Sequence, residues 1–161
     1  MQKGNLIQNG ELILAPGTHT TPNWNTDYSD YIFETEFRFF GSTTGWSGMS
    51  VYLRYSNPPC AGITGNCSDQ VGVSTQGTVS AWRPNGTDSY DNFLSDTDAT
   101  SFAPNGENQL TVIVNGNEFQ IFLNHVFVRS FTDSTYKSGI IVLDTDGTSV
   151  AFNYIRIYAI P

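Results

Sequence analysis

Residues 31–55 read YIFETEFRFFGSTTGWSGMSVYLRY, and the alternation inside this stretch decides the fold. Tyr31, Phe33, Thr35, Phe37 and Phe39 fall at every second position, with Ile32, Glu34, Glu36, Arg38 and Phe40 between them. Successive side chains of a strand point to opposite faces, so the pattern describes one packed face and one polar face. Met49, Val51, Leu53 and Tyr55 repeat it, with Ser50, Tyr52 and Arg54 opposite. By parity, Arg38 and Arg54 both point away from the core. Antiparallel pairing of the two strands through GSTTGWSG would bring the guanidiniums side by side, ~5 Å apart across the ladder, with Tyr52 between them and Glu36 nearby.

The same period recurs along the chain. NLIQNGELIL (5–14) reads as a hairpin, because Asn9-Gly10 accepts positive φ at both turn positions. QVGVST and TVSAW flank Gln76-Gly77; NQLTVIVNGNEFQIFLNHVFVRSF (108–131) gives three strands with turns at Asn115-Gly116 and Asn124-His125. GIIVLD and SVAFNYIRIYAI supply the last two. SNPPCAGITGNCSD reads as a loop, and residues 83–107 as a long polar segment that either carries an irregular strand or shapes a site. No helical period persists. Strands with one apolar face bury it by packing sheet on sheet, so residues 1–161 are expected to form a single all-β domain, a two-sheet antiparallel jelly-roll sandwich.

Composition narrows the partners. Seven Lys and Arg stand against fifteen Asp and Glu, a net charge of −8. Neither nucleic-acid phosphates nor an anionic membrane attracts such a chain. No apolar run is long enough to insert in a membrane. Cys60 and Cys67 bracket CAGITGNC, a spacing a disulfide spans, and too few sulfurs are present for a structural zinc site. A disulfide there implies an oxidising compartment, outside the cell or at its surface. Asp144 to Thr148, DTDGT, has the acid spacing that opens some calcium loops but lacks the closing glutamate; an Asp-Gly turn accounts for it equally, and calcium is the one metal left open.

Three stretches carry a resemblance. EFRFF…GMSVYLRY, GNEFQIFLNHVFVRSFTDSTYKSGIIVLD and VAFNYIRIY resemble the concanavalin A-like lectin/glucanase superfamily. The nearest branches are its laminin-G-like, family-66 carbohydrate-binding and 3-keto-disaccharide-hydrolase-like domains. Asn124, Asp133 and Gly139 match positions of the family pattern, His125 stands where the family has Gly, and Phe152 to Ile155 resembles its closing strand. The resemblance implies the concanavalin A-like jelly roll. It also implies one of several activities, since the fold hosts lectins, binding modules, hydrolases and protein-binding domains. The Glu-x-Asp-x-x-Glu motif of the glucanase branch is missing.

A carboxylate, guanidiniums, a phenol and an indole on one sheet would make a sugar-binding floor. Planar polar groups fork to vicinal hydroxyls and an aromatic ring packs on the apolar face of a pyranose. The expected ligand-binding residues are Glu36, Arg38, Tyr52, Arg54, Gln70 and Trp82, on the concave sheet face. Trp24 and Trp46 lie in loop-like sequence, Trp46 being the better exposed candidate. Twin arginines would suit an acidic oligo- or polysaccharide. No residue is assigned to catalysis: Glu34 and Glu36 share a face ~7 Å apart, but every strand places residues so. The reading is a non-catalytic carbohydrate-binding module, joined to neighbouring domains in a longer extracellular chain. A laminin-G-type adhesion domain and a glycosidase acting on a small saccharide are the alternatives.

Overall fold

The computed structural model describes residues 5–21, 26–41, 47–56, 67–85 and 89–160. Their strands, in chain order, are β1 (Asn5–Gln8), β2 (Glu11–Leu14), β3 (His19–Thr20), β4 (Tyr31–Phe40), β5 (Gly48–Ser56), β6 (Cys67–Ser74), β7 (Thr78–Pro84), β8 (Tyr90–Asp98), β9 (Asn108–Asn115), β10 (Glu118–Leu123), β11 (Val126–Thr132), β12 (Ile140–Asp146) and β13 (Ser149–Ala159). They form two antiparallel sheets. One has seven strands in the order β1-β2-β13-β4-β9-β10-β11; the other has six, β3-β12-β5-β6-β7-β8. This is the expected jelly-roll sandwich, with no helix among the described residues.

Local chemistry explains the tight connections. Asn9 and Gly10 take φ of 53° and 87°, and Asn124 and His125 take 50° and 65°. Positive φ at both central positions twists a two-residue turn to match its strands. His125 thus adopts the backbone the related glycine would adopt. The β9–β10 turn falls one residue later than expected: Asn115 pairs with Glu118, leaving Gly116-Asn117 as the loop. β6 starts at Cys67, inside the stretch read as a loop. The polar 83–107 segment supplies β8, an edge strand paired with β7 across two register shifts.

The core lies between the sheets. Phe33, Phe37, Leu110, Val112, Val114, Phe119 and Ile121 face Met49, Val51, Leu53, Val71, Val73, Val79, Ala81, Ile141 and Leu143. The face expected to be packed on β4 is buried, except that Phe39 is half-buried near the strand end.

The pairing of β4 with β5 is corrected. β4 lies between β13 and β9, and β5 between β12 and β6, in different sheets. Alternation fixes which face of a strand is buried but not which strand sits beside it. The connection after Phe40 crosses from one sheet to the other instead of reversing, and it exceeds usual hairpin loops of two to five residues.

The outward direction of Arg54 is corrected too. The β5–β6 register shifts between Leu53 and Ser56, and Arg54 takes a φ of 52°. A bulge of this kind breaks the period of two and re-aims a side chain. Arg54 is 1% exposed, the largest fully buried side chain of the described residues. Its Nε and Nη2 donate to the Ser29 carbonyl at 3.1 and 2.7 Å, Nη1 donates to the Tyr136 carbonyl at 2.9 Å, and Nη2 donates to the Gly116 carbonyl at 2.6 Å. Asp30 lies 3.5 Å away and also accepts from the Gly116 N–H. Gly139 presses on the Arg54 backbone so closely that any Cβ would collide with it.

From Arg54 an aromatic series runs across the end of the sandwich. The guanidinium lies 5.3 Å from the Phe119 ring centroid; Phe119 stacks on Phe131 at 4.6 Å and Phe131 on Phe93 at 4.8 Å; Arg83 lies 5.5 Å over Phe93. Phe119 and Phe131 belong to the seven-stranded sheet and Phe93 to the edge strand of the other, so the series ties the two edges together.

Arg54→Met keeps much of the apolar stem but strands three carbonyls and Asp30. Breaking a buried charged network typically costs about 3–5 kcal/mol, and urea unfolding is expected to register a loss in that range. A change smaller than about 1 kcal/mol would mean that the network contributes no more than a surface ion pair.

Candidate functional site

The outer face of the six-stranded sheet carries a continuous polar and aromatic floor. Register places Val142, Tyr52, Gln70, Trp82 and Asn92 in one row across β12, β5, β6, β7 and β8. A second row holds Asp144, Ser50, Gly72 and Ser80. Their neighbours Val51, Leu53, Val71, Val73, Val79, Ala81 and Leu143 fill the core, so these side chains must face outward.

Three contacts order this floor. The Tyr52 hydroxyl donates to Asp144 Oδ2 at 2.8 Å. Gln70 Nε2 donates to Ser68 Oγ at 3.3 Å, holding the amide flat on its strand. Trp82 lies across Gly72: a Cβ built there would stand 2.8 Å from the indole Cη2. Glycine at 72 is therefore what lets the ring lie down on β6. Tyr55 adds a ring 6.4 Å from that of Tyr52.

Tyr52, Gln70 and Trp82 are thus brought together as expected, but the other three residues are elsewhere. Glu36 and Arg38 project from the outer face of the seven-stranded sheet, on the far side of the sandwich. There Asn153 Nδ2 donates to Glu36 at 2.6 Å, while Arg38 pairs with Glu11 at 2.7 Å and Glu107 at 3.2 Å. Glu34 on the same face pairs with Arg156 at 3.5 Å. Arg54 is enclosed at the sandwich end. The two arginines lie in separate sheets, so the side-by-side cation pair does not form. Trp24, Trp46 and Cys60 lie outside the described residues; Cys67 is buried and is not a free thiol.

Asp144, Ser50 and Ser68 join the floor without having been assigned to it. Asp144 had a legible signal: in IIVLDTD it takes the outward parity, against Ile141 and Leu143 inward. Its hydroxyl partner, 92 positions away, had none. Among the described residues no three His, Cys, Asp or Glu side chains converge in a metal-binding group.

The floor is also uncharged or acidic. Of the seven Lys and Arg, Arg38, Arg129 and Arg156 sit on strands of the seven-stranded sheet, Arg54 and Arg83 are engaged at the sandwich end, Lys137 donates to Asn117, and Lys3 lies outside the described residues. Burial pushes the Asp144 carboxyl above its ordinary range, opposed by the Tyr52 hydroxyl, the Thr145 N–H and nearby His19.

Asp144 therefore stabilises the fold best when protonated. With its folded value raised, that contribution is full below the unfolded value and is lost as pH rises through the folded one. Tyr52→Phe removes the donor that favours the anion. Carbon-detected NMR of the aspartate carboxyls should show Asp144 titrating at higher pH still, whereas an unmoved titration would contradict the hydrogen bond's role.

Residues 1–158 match the family described as the 3-keto-alpha-glucoside-1,2-lyase-like domain. No curated protein matches. Among solved structures, the carbohydrate-binding module CBM66 from Bacillus subtilis superposes with a TM-score of 0.76 at 14% identity, covering 96% of this chain and 91% of that one. The exoplasmic/lumenal domain of VIP36, in a form bound to Ca2+ and Man3GlcNAc, gives 0.70 at 10% identity over 99% and 83%. A Bacillus licheniformis β-glucanase gives 0.65 at 12% over 98% and 83%. These likenesses share the concanavalin A-like sandwich, and with the matched family spanning nearly the whole sequence, the chain belongs to the 3-keto-alpha-glucoside-1,2-lyase-like domain family.

Proposed function

We propose that the outer face of the six-stranded sheet binds a saccharide and that this domain is a carbohydrate-binding module. The observation that carries the reading is the Trp82 ring laid across Gly72, in a row with Gln70 and Tyr52. An indole held flat offers its face to the C–H face of a sugar ring, and fixed amide, phenol and carboxylate groups beside it suit hydroxyls. Structural neighbours such as the carbohydrate-binding module CBM66 and the Man3GlcNAc-bound domain of VIP36 agree with this choice of ligand.

The saccharide is neutral. Two arginines side by side on the floor would have suited an acidic sugar. Without them, Asp144 would repel a uronate or sulfate, with no described Lys or Arg beside it to offset the charge. Calcium has no assigned role in this reading. The domain is read as an extracellular or cell-surface part of a longer chain, and Cys67 is proposed to pair with Cys60.

The family description favours a second reading, cleavage of a 3-keto glucoside on the same floor. Incubating the protein with 3-keto and unmodified disaccharides separates the two: released monosaccharide supports catalysis, and binding without turnover supports the module.

Calorimetry on neutral oligosaccharides should give binding that Trp82→Ala weakens by about tenfold or more, roughly 1.4 kcal/mol, with the melting temperature little changed. Gly72→Ala, which lifts the ring, should weaken it as well. Tight binding of uronic oligosaccharides that Trp82→Ala leaves unchanged would overturn the reading. Intact mass after alkylation, with and without reductant, checks the disulfide: material from an oxidising host should take up label only after reduction.

A further inference from the structure

At the end of the sandwich held by Arg54, a second polar cluster plays no part in the floor. Asp69 shares the parity of Val71 and Val73 on β6, so its carboxyl points between the sheets. The residue is fully buried, and neither carboxylate oxygen meets a hydrogen-bond donor. Titratable or charged groups approach it from several packed elements. Tyr31 comes from β4, Arg54 from β5, Arg83 from β7, and Asp133 and Tyr136 from the segment after β11. Asp91 of β8 stands behind Arg83. The Tyr31 and Tyr136 hydroxyls, like Asp69, have no protein partner.

Both guanidiniums are committed elsewhere. Arg54 is spent on its three carbonyls and Asp30. Arg83 is held by Asp133, Asp91 and Thr135. Continuing the Gln70–Trp82 pairing of β6 and β7 sets Arg83 across from Asp69, and Arg83 holds Asp133, which brings the two carboxyl groups together. Two ionised carboxylates have no proton to place between them. One added proton turns the clash into an O–H···O bond. It belongs on Asp69, because Asp133 already accepts from Arg83 and Thr135 and is the member held in the anionic form.

We propose that Asp69 and Asp133 share one proton in the folded protein and that the pair is an alkali-sensitive latch fastening the 133–139 segment to β6 and β7. That segment also supplies the Tyr136 carbonyl to Arg54 and the Gly139 that packs on it. Releasing the latch therefore loosens the tie between the sheets. The electrostatics agree. Burial, then the hydrogen bond and charge of Asp133, push Asp69 up to about 8 from 3.8, against the lowering effect of Arg54 and Arg83. The folded chain thus holds a proton that the unfolded chain releases at the lower value. Stability falls as pH rises across that window and levels off above it.

The direct test is a carboxyl-carbon NMR titration of the unaltered protein. One aspartate should titrate near pH 8, and as it does the protection of the amides of residues 133–139, measured relative to their intrinsic base-catalysed exchange rates, should fall. Asp133→Asn should return that titration towards the ordinary aspartate range. Asp69→Asn, whose amide donates to Asp133 at any pH, should melt progressively higher relative to the unaltered protein between about pH 4 and about pH 8, with the difference constant above that. Every aspartate titrating below about pH 5, or a melting difference that does not change with pH, would overturn the proposal. If Asp69→Asn fails to fold, the titration of the unaltered protein decides alone.

Discussion

A guanidinium sealed from water must find acceptors for its donors, and Arg54 finds them on three separate parts of the chain. Ser29 lies just before β4, Gly116 in the β9–β10 turn, and Tyr136 between β11 and β12. Those segments lead into or out of the seven-stranded sheet, whereas Arg54 belongs to the six-stranded one. One side chain thus sets how the sheets meet at this end. The bulge that aims it inward and the glycine at 139 that leaves it room are parts of the same requirement. The phenyl series from Phe119 to Phe93 continues the tie to the sheet edges, and ends on a second committed guanidinium, Arg83.

Anchoring the sheets in this way leaves the polar and aromatic row on β5, β6 and β7 outside the core, on the face proposed for recognition. β6 is buried along its whole length, so Gln70 and Gly72 sit on a rigid strand between two others. A stacking ring supported from below costs little entropy when a ligand arrives, because it is already lying where it is needed. The same strand turns Asp69 inward, one residue from Gln70. Proton latch and floor thus share a backbone while facing opposite directions, which is a direct consequence of the period of two.

The sequence made the alternation readable, and with it the sandwich, the hairpin turns at Asn9-Gly10 and Asn124-His125, and the outward parity of Tyr52, Gln70 and Trp82. What it hid depends on partners distant in the chain. Parity assigns faces but not neighbours, so β4 and β5 looked like a hairpin when each pairs with strands far away in sequence. Arg54 obeyed the alternation on paper and escaped it through a bulge, which has no signature in VYLRY. The Tyr52–Asp144 bond and the Asp69–Asp133 approach each join residues that only the fold makes adjacent. With Arg38 and Arg54 away from the floor, the feature that would have suited an acidic saccharide is gone, while the groups that suit a sugar as such stay in place.

Recognition is proposed for the outer face of the six-stranded sheet. Backbone amide NMR during titration with a neutral oligosaccharide tests it residue by residue. Shifts should concentrate on Tyr52, Gln70, Gly72, Trp82 and Asp144, with Glu36 and Arg38 on the opposite sheet unmoved. Shifts that gather around Glu36 and Arg38 instead, or none on either face at saturating sugar, would contradict it.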